Sequence, residues 1–197
     1  MKKYIEIAIM LTTWFALILQ LLILKDSIAN YFSYFTILSN LLVAISLTAL
    51  VFAAKTNLGY KLSLPTTKSA VALYILIVGL VYNLVLRGIW EPTGWQLVAD
   101  NLLHVIVPIA YLTYWLIFTG RKTLNYKDIL SWTIFPFLYL IYSLIRGYYV
   151  NWYPYPFLDV AQFGYPQVLI NAFFVMLAFV GFATIMVWFN KTGAKEA

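Results

Sequence analysis

A chain of 197 residues that is 63% hydrophobic and only 10% charged lies far from a soluble globular domain, in which about a quarter of residues carry charge. It has no cysteine, which excludes disulfides, thiolate catalysis and cysteine-based metal sites. Its formal charge of +6, from 13 lysines and arginines against seven acids, sits in short segments between apolar runs and marks topology before it marks a nucleic-acid footprint.

The apolar runs approach or exceed the ~18 residues that cross ~30 Å of hydrocarbon. They predict spans at 5–24, 33–54, 69–87, 98–118, 130–146 and 166–189, an all-α polytopic protein whose six transmembrane helices form one compact bundle over a single domain, 1–197. Lys2 and Lys3 before the first run imitate a signal peptide, but the small residues Ser27 and Ala29 come after Lys25 and Asp26. The run therefore reads as a retained helix. The fifth span is short and contains Pro136, so its ends are the least defined.

Ten basic residues (Lys2, Lys3, Lys55, Lys61, Lys68, Arg121, Lys122, Lys127, Lys191 and Lys195) fall on one side of this arrangement. Only Lys25, Arg87 and Arg146 fall on the other, which places both termini in the cytoplasm. The expected setting is the membrane itself, a bacterial inner membrane, with lipids as partners and no nucleic acid.

The connections are short. Residues 55–68 and 119–129 are polar and cytoplasmic, while 88–97 places Trp90 and Trp95 at the outer headgroup level. The segment 147–165 stands out, with eight aromatic residues in nineteen and prolines at 154 and 156. It reads as an outer-interface loop, either an aromatic belt or a lid. Spans three and five end in similar words, YNLVLRG at 82–88 and YSLIRG at 142–147, each with an arginine and then a glycine able to end a helix. Arg87 and Arg146, with Tyr149 and Asp159, are candidates to hold a substrate headgroup at the outer rim.

Each span carries a strongly polar residue in its outer half: Gln20, Thr36 with Asn40, Asn83, His104 with Asn101, Ser143 and Asn171. Amides and imidazoles are costly in hydrocarbon, so matching depths predict a shared polar chamber. Thr36 and Asn40 share a helix face, as do Asn101 and His104. Counted from the span starts, Thr36 and His104 sit roughly 10 and 6 Å outside the midplane. Asp100 suits a helix start, where its carboxylate caps free amides. Pro108 lacks an amide proton and so frees the His104 carbonyl.

His104 is the chain's one histidine. A single imidazole with few acids nearby is poor for metal or haem, and no metal or cofactor is expected. General acid–base work needs one group near neutrality, which fits. A threonine hydroxyl needs such a base to become a nucleophile, and an amide such as Asn40 or Asn83 can steady an oxyanion. Spacing alone leaves Thr36 open between this role and a bond to its own backbone.

Three words, YFSYFTILSNLLV at 31–43, NLLHVIVP at 101–108 and RGYYVNWYPYPFLD at 146–159, resemble the bacterial six-span relatives of the androgen-induced and androgen-dependent membrane hydrolases. The resemblance runs over almost the whole chain. It implies a threonine-type hydrolase of fatty acid esters of hydroxy fatty acids, with Thr36 and His104 in the catalytic positions. The resulting expectation is an intramembrane hydrolase of lipid-like carboxylic esters. The alternatives are a nonenzymatic lipid- or small-molecule-binding membrane protein and a small-solute transporter.

Overall fold

The computed structural model describes residues 1–89 and 91–192. Trp90 and Lys195, expected at the outer headgroup level and on the cytoplasmic side, lie outside the described residues. Six helices among the described residues are long and apolar enough to cross a membrane: Lys2–Leu22, Phe35–Phe52, Pro65–Leu86, Gly94–Phe118, Asp128–Val150 and Val160–Thr192. The protein is all-α and polytopic. Two compact units can be described, one over residues 1–120 and one beginning at Arg121. Most of the interhelical hydrogen bonds described below fall within the first unit.

The first unit holds four spans. Helix α1 (Lys2–Leu22) is followed by the short α2 (Ile28–Tyr31), whose cap Ser27 accepts from the Asn30 amide at 3.1 Å. Then come α3 (Phe35–Phe52), the short α4 (Asn57–Ser63) and α5 (Pro65–Val81), with Pro65 in its first turn, where no amide is needed. A π-turn at Tyr82–Leu86 completes span three. Span four is α6 (Gly94–Asn101), a second π-turn at Leu102–Ile106, and α7 (Val107–Phe118).

Helix α1 packs on α3, α3 on α5, and α5 on α7. Ala16 and Ala44 are fully buried, and small side chains let neighbouring backbones approach in a membrane. Trp14 Nε1 donates to Thr48 Oγ1 at 3.0 Å, joining α1 to α3. Tyr31 donates its hydroxyl to the Leu17 carbonyl at 2.8 Å, and burial pushes its phenol up to about 12, so it remains a neutral donor. At the opposite end, Tyr114 donates to Glu6 at 2.7 Å and Trp115 to Ser69 at 2.7 Å, joining α1 to α7 and α5 to α7. Glu6 is itself buried. Ser46 bonds a carbonyl of its own helix.

The second unit is α8 (Asp128–Val150), a 3₁₀ turn at Pro156–Leu158 and α9 (Val160–Thr192). Span five, expected to be short, is 23 residues long and passes through Pro136. It does not stop at Gly147 as the YSLIRG word suggests. It stops at Asn151, which takes the left-handed conformation (φ 49°). Gly147 serves close approach instead: a Cβ there would collide with the Tyr153 ring, so the aromatic segment folds back onto α8 only over glycine. Gly164 (φ 73°) breaks the helical path near the start of α9. By contrast, Gly88 (φ 100°) does follow the end of span three.

Reporter fusions after Gly120 and after Pro154 are expected to read cytoplasmic and periplasmic, respectively. A periplasmic signal from Gly120 would invert the orientation derived from charge.

Candidate active site

The site grows from one irregular turn. In the second π-turn the Val107 amide donates to the Leu102 carbonyl, five residues back. That bond takes away the donor an α-helix would give Leu103. The next residue is Pro108, which has no amide proton to give to Leu103 or His104. Two consecutive carbonyls thereby lose their helical donors inside the membrane. Asparagines from the neighbouring spans replace them: Asn40 Nδ2 donates to Leu103 O at 3.3 Å, and Asn83 Nδ2 to His104 O at 3.2 Å. The costly amides foreseen at this depth thus satisfy broken backbone.

The same turn fixes the histidine. His104 Nδ1 lies 3.0 Å from the Asp100 carbonyl, which can only accept, so Nδ1 carries a proton and, in the neutral ring, Nε2 holds the lone pair. The ring stacks on Tyr82, with centroids 3.9 Å apart and planes 11° apart. The Tyr82 hydroxyl donates to Asp100 Oδ2 at 3.3 Å, Gln96 Nε2 to Asp100 Oδ1 at 3.1 Å, and Gln96 also to Gln20 Oε1 at 2.8 Å. Arg87 Nη1 donates to Asn83 Oδ1 at 2.9 Å. Gln20, Asn83, His104 and Arg87, singled out in the sequence, therefore meet in one network with Tyr82, Gln96 and Asp100.

Thr36 is buried one turn before Asn40. Asn40 Nδ2 donates to the Thr36 carbonyl at 2.9 Å as well as to Leu103 O, so one amide ties the threonine turn to the residue beside His104. Among the other candidates, Asn101 bonds back to the Leu97 carbonyl at 2.9 Å. Ser143 is buried and its hydroxyl has no hydrogen-bond partner among the described residues. Asn171 donates to the Phe157 carbonyl at 2.9 Å, holding the aromatic segment to α9. Arg146 lies over the Trp152 ring at 4.8 Å, Tyr149 is exposed, and Asp159 accepts from the Ala161 amide at 2.9 Å as a helix cap.

Asp100 is not the expected cap. Helix α6 starts at Gly94, and Asp100 sits beyond the first turn, where free amides occur. Tyr82 and Gln96 were also missed. Tyr82 precedes Asn83 in the YNLVLRG word, and Gln96 stands four residues before Asp100, a spacing that puts both on one helix face.

Asn40→Leu is expected to destabilise the protein by about 1–3 kcal/mol, because it leaves a buried carbonyl without a donor. Ser39→Ala is the control, since the Ser39 hydroxyl is fully buried with no hydrogen-bond partner among the described residues. Its removal strands no partner and should not destabilise the protein as Asn40→Leu does. Unfolding in mixed micelles measures both, and equal effects would count against the bridging role of Asn40.

Comparison with protein-family models, curated proteins and solved structures finds no match.

Proposed function

We propose that the protein is an intramembrane hydrolase of lipid-like carboxylic esters, with Thr36 as nucleophile and His104 as base. The supporting observation is the Asp100 carbonyl on Nδ1, which directs the lone pair of the neutral His104 ring to Nε2. Asn40 adds to it by coupling the Thr36 turn to the residue preceding that imidazole. The resemblance to the androgen-regulated membrane hydrolases points to the same two residues, and to a bacterial cytoplasmic membrane as the setting.

In this mechanism Nε2 removes the Thr36 hydroxyl proton and the resulting alkoxide attacks the ester carbonyl carbon. The bond from that carbon to the alcohol oxygen breaks, and the departing alcohol takes the proton from the imidazolium. Nε2 then deprotonates a water, which attacks the acyl-threonine and releases the acid with Thr36 restored. The balance is one ester and one water to one acid and one alcohol. Membrane lipids or lipid-like esters are the substrate class, because the site lies within the spans. Arg87, joined to the site through Asn83, is the rim cation suited to a substrate carboxylate or phosphate.

The test is turnover of a panel of lipid esters by purified protein and by its Thr36→Ala and His104→Ala forms. Wild-type turnover that neither substitution reduces rejects the mechanism.

A further inference from the structure

The turn that presents His104 also carries a carboxylate which the threonine–histidine pair leaves unused. Asp100 stands one helical turn before the histidine, its side chain 8% exposed beside 12% for the imidazole. Its Oδ1 lies 4.0 Å from His104 Nδ1. An aspartate at such a depth is costly unless it is hydrogen-bonded. Tyr82 from span three donates to one of its oxygens and Gln96 from its own helix to the other, and Gln20 from span one holds Gln96. Tyr82 does two things at once, since its ring stacks on the imidazole while its hydroxyl bonds the carboxylate. Carboxylate and imidazole are thereby fixed by the same side chain. Helix capping explains none of this, because Asp100 lies past the first turn of α6.

A negative charge near Nδ1 favours the ring form that carries its proton there. It also offsets the positive charge that appears when Nε2 takes up a second proton. Surroundings poor in water extend the reach of that charge. We propose that Asp100 is the positioning residue of His104: its backbone carbonyl accepts from Nδ1, while its carboxylate 4.0 Å away adds a charge that favours the Nδ1-protonated ring, keeps Nε2 as the free base and balances the imidazolium formed when Thr36 loses its proton. The last of these roles rests on the hydrolase mechanism above. The first two are properties of the resting protein and are read without catalysis.

The experiment uses full-length protein with a purification tag that lacks histidine, so that the chain's single histidine gives an unambiguous ¹⁵N spectrum. Wild type, Asp100→Asn, Asp100→Glu and Tyr82→Phe are compared by kinetics on the ester panel and by the ¹⁵N shifts of the neutral ring. A positioned base contributes about 10²–10⁴-fold, and a group that tunes the base without replacing it carries less, so Asp100→Asn should lower kcat about 10- to 100-fold. KM should stay within about threefold, since no contact with bound substrate is removed. Asp100→Glu, which restores a carboxylate, should recover part of the loss, and Tyr82→Phe should lose less than Asp100→Asn. In the spectra, wild type should be protonated on Nδ1, and Asp100→Asn should shift population towards Nε2.

Full kcat and an unchanged spectrum in Asp100→Asn overturn the proposal while leaving Thr36 and His104 in place. If the wild type turns over no ester, the hydrolase mechanism fails on its own and the spectra alone decide the role of Asp100. A shift in tautomer on losing the carboxylate then supports the positioning role, and identical spectra overturn it.

Discussion

Thr36→Ala and His104→Ala are each expected to lower ester turnover by about 10³-fold or more, and the double variant to be no worse than the more damaged single. The reason is that in the proposed mechanism the two groups perform one act. A threonine hydroxyl is almost entirely protonated near neutrality, so without Nε2 to take its proton there is little alkoxide to attack. Without the hydroxyl, the base has only water to activate at a site arranged for a side chain. Thr36→Ser, which keeps a hydroxyl, should retain part of the rate. An acyl adduct seen by intact mass in wild type and absent in Thr36→Ala would place the covalent step at this residue. Multiplicative losses in the double variant would instead describe two independent contributions and would remove the nucleophile–base pair.

Much of this site is legible in the sequence because hydrocarbon punishes polar groups. Gln20, Asn40, Asn83 and His104 stand out against apolar runs, and the structure joins each of them to the irregular turn of span four or to the network around it. Pro108 foretold a carbonyl without a donor at His104, and Asn83 meets it. The second such carbonyl, at Leu103, was not legible, since it follows from the five-residue register of the π-turn. Periodicity at 3.6 residues per turn hides that register. Asp100 was misread for a related reason. Its role depends on where α6 begins, and the helix starts at Gly94, several residues earlier than the apolar run suggests. Ser143 and Asn171 carry the same polar signal, yet Asn171 serves the aromatic segment of its own unit. Depth marks which groups need partners without saying which partners they find.

The pairing of Asn83 with Pro108 yields the sharpest energetic test of the turn. Asn83→Leu removes the donor to the His104 carbonyl and should cost about 1–3 kcal/mol, the penalty of a buried acceptor left unsatisfied. Pro108→Ala supplies a backbone amide four residues after that carbonyl, where an α-helix would place its donor. On its own the change should also stabilise the helix, because proline is about 3 kcal/mol worse than alanine in a helix interior. Neither single effect is diagnostic, but their coupling is. In wild type the new amide meets a carbonyl that Asn83 already serves. In the Asn83→Leu background it meets one with no side-chain donor. Pro108→Ala should therefore stabilise the Asn83→Leu protein by about 1 kcal/mol more than it stabilises wild type, a difference within reach of a double-mutant cycle. The loss of the Arg87 contact to Asn83 occurs in both Asn83→Leu backgrounds and cancels in the cycle. A π-turn adds one residue to its turn and so turns the following side chains by about 100° relative to a regular helix. If the amide at position 108 draws the segment back to α-helical register, His104 leaves its stack on Tyr82, and Pro108→Ala should lose ester turnover while gaining stability. Zero coupling in the cycle would mean that Asn83 is not the replacement for the amide Pro108 lacks.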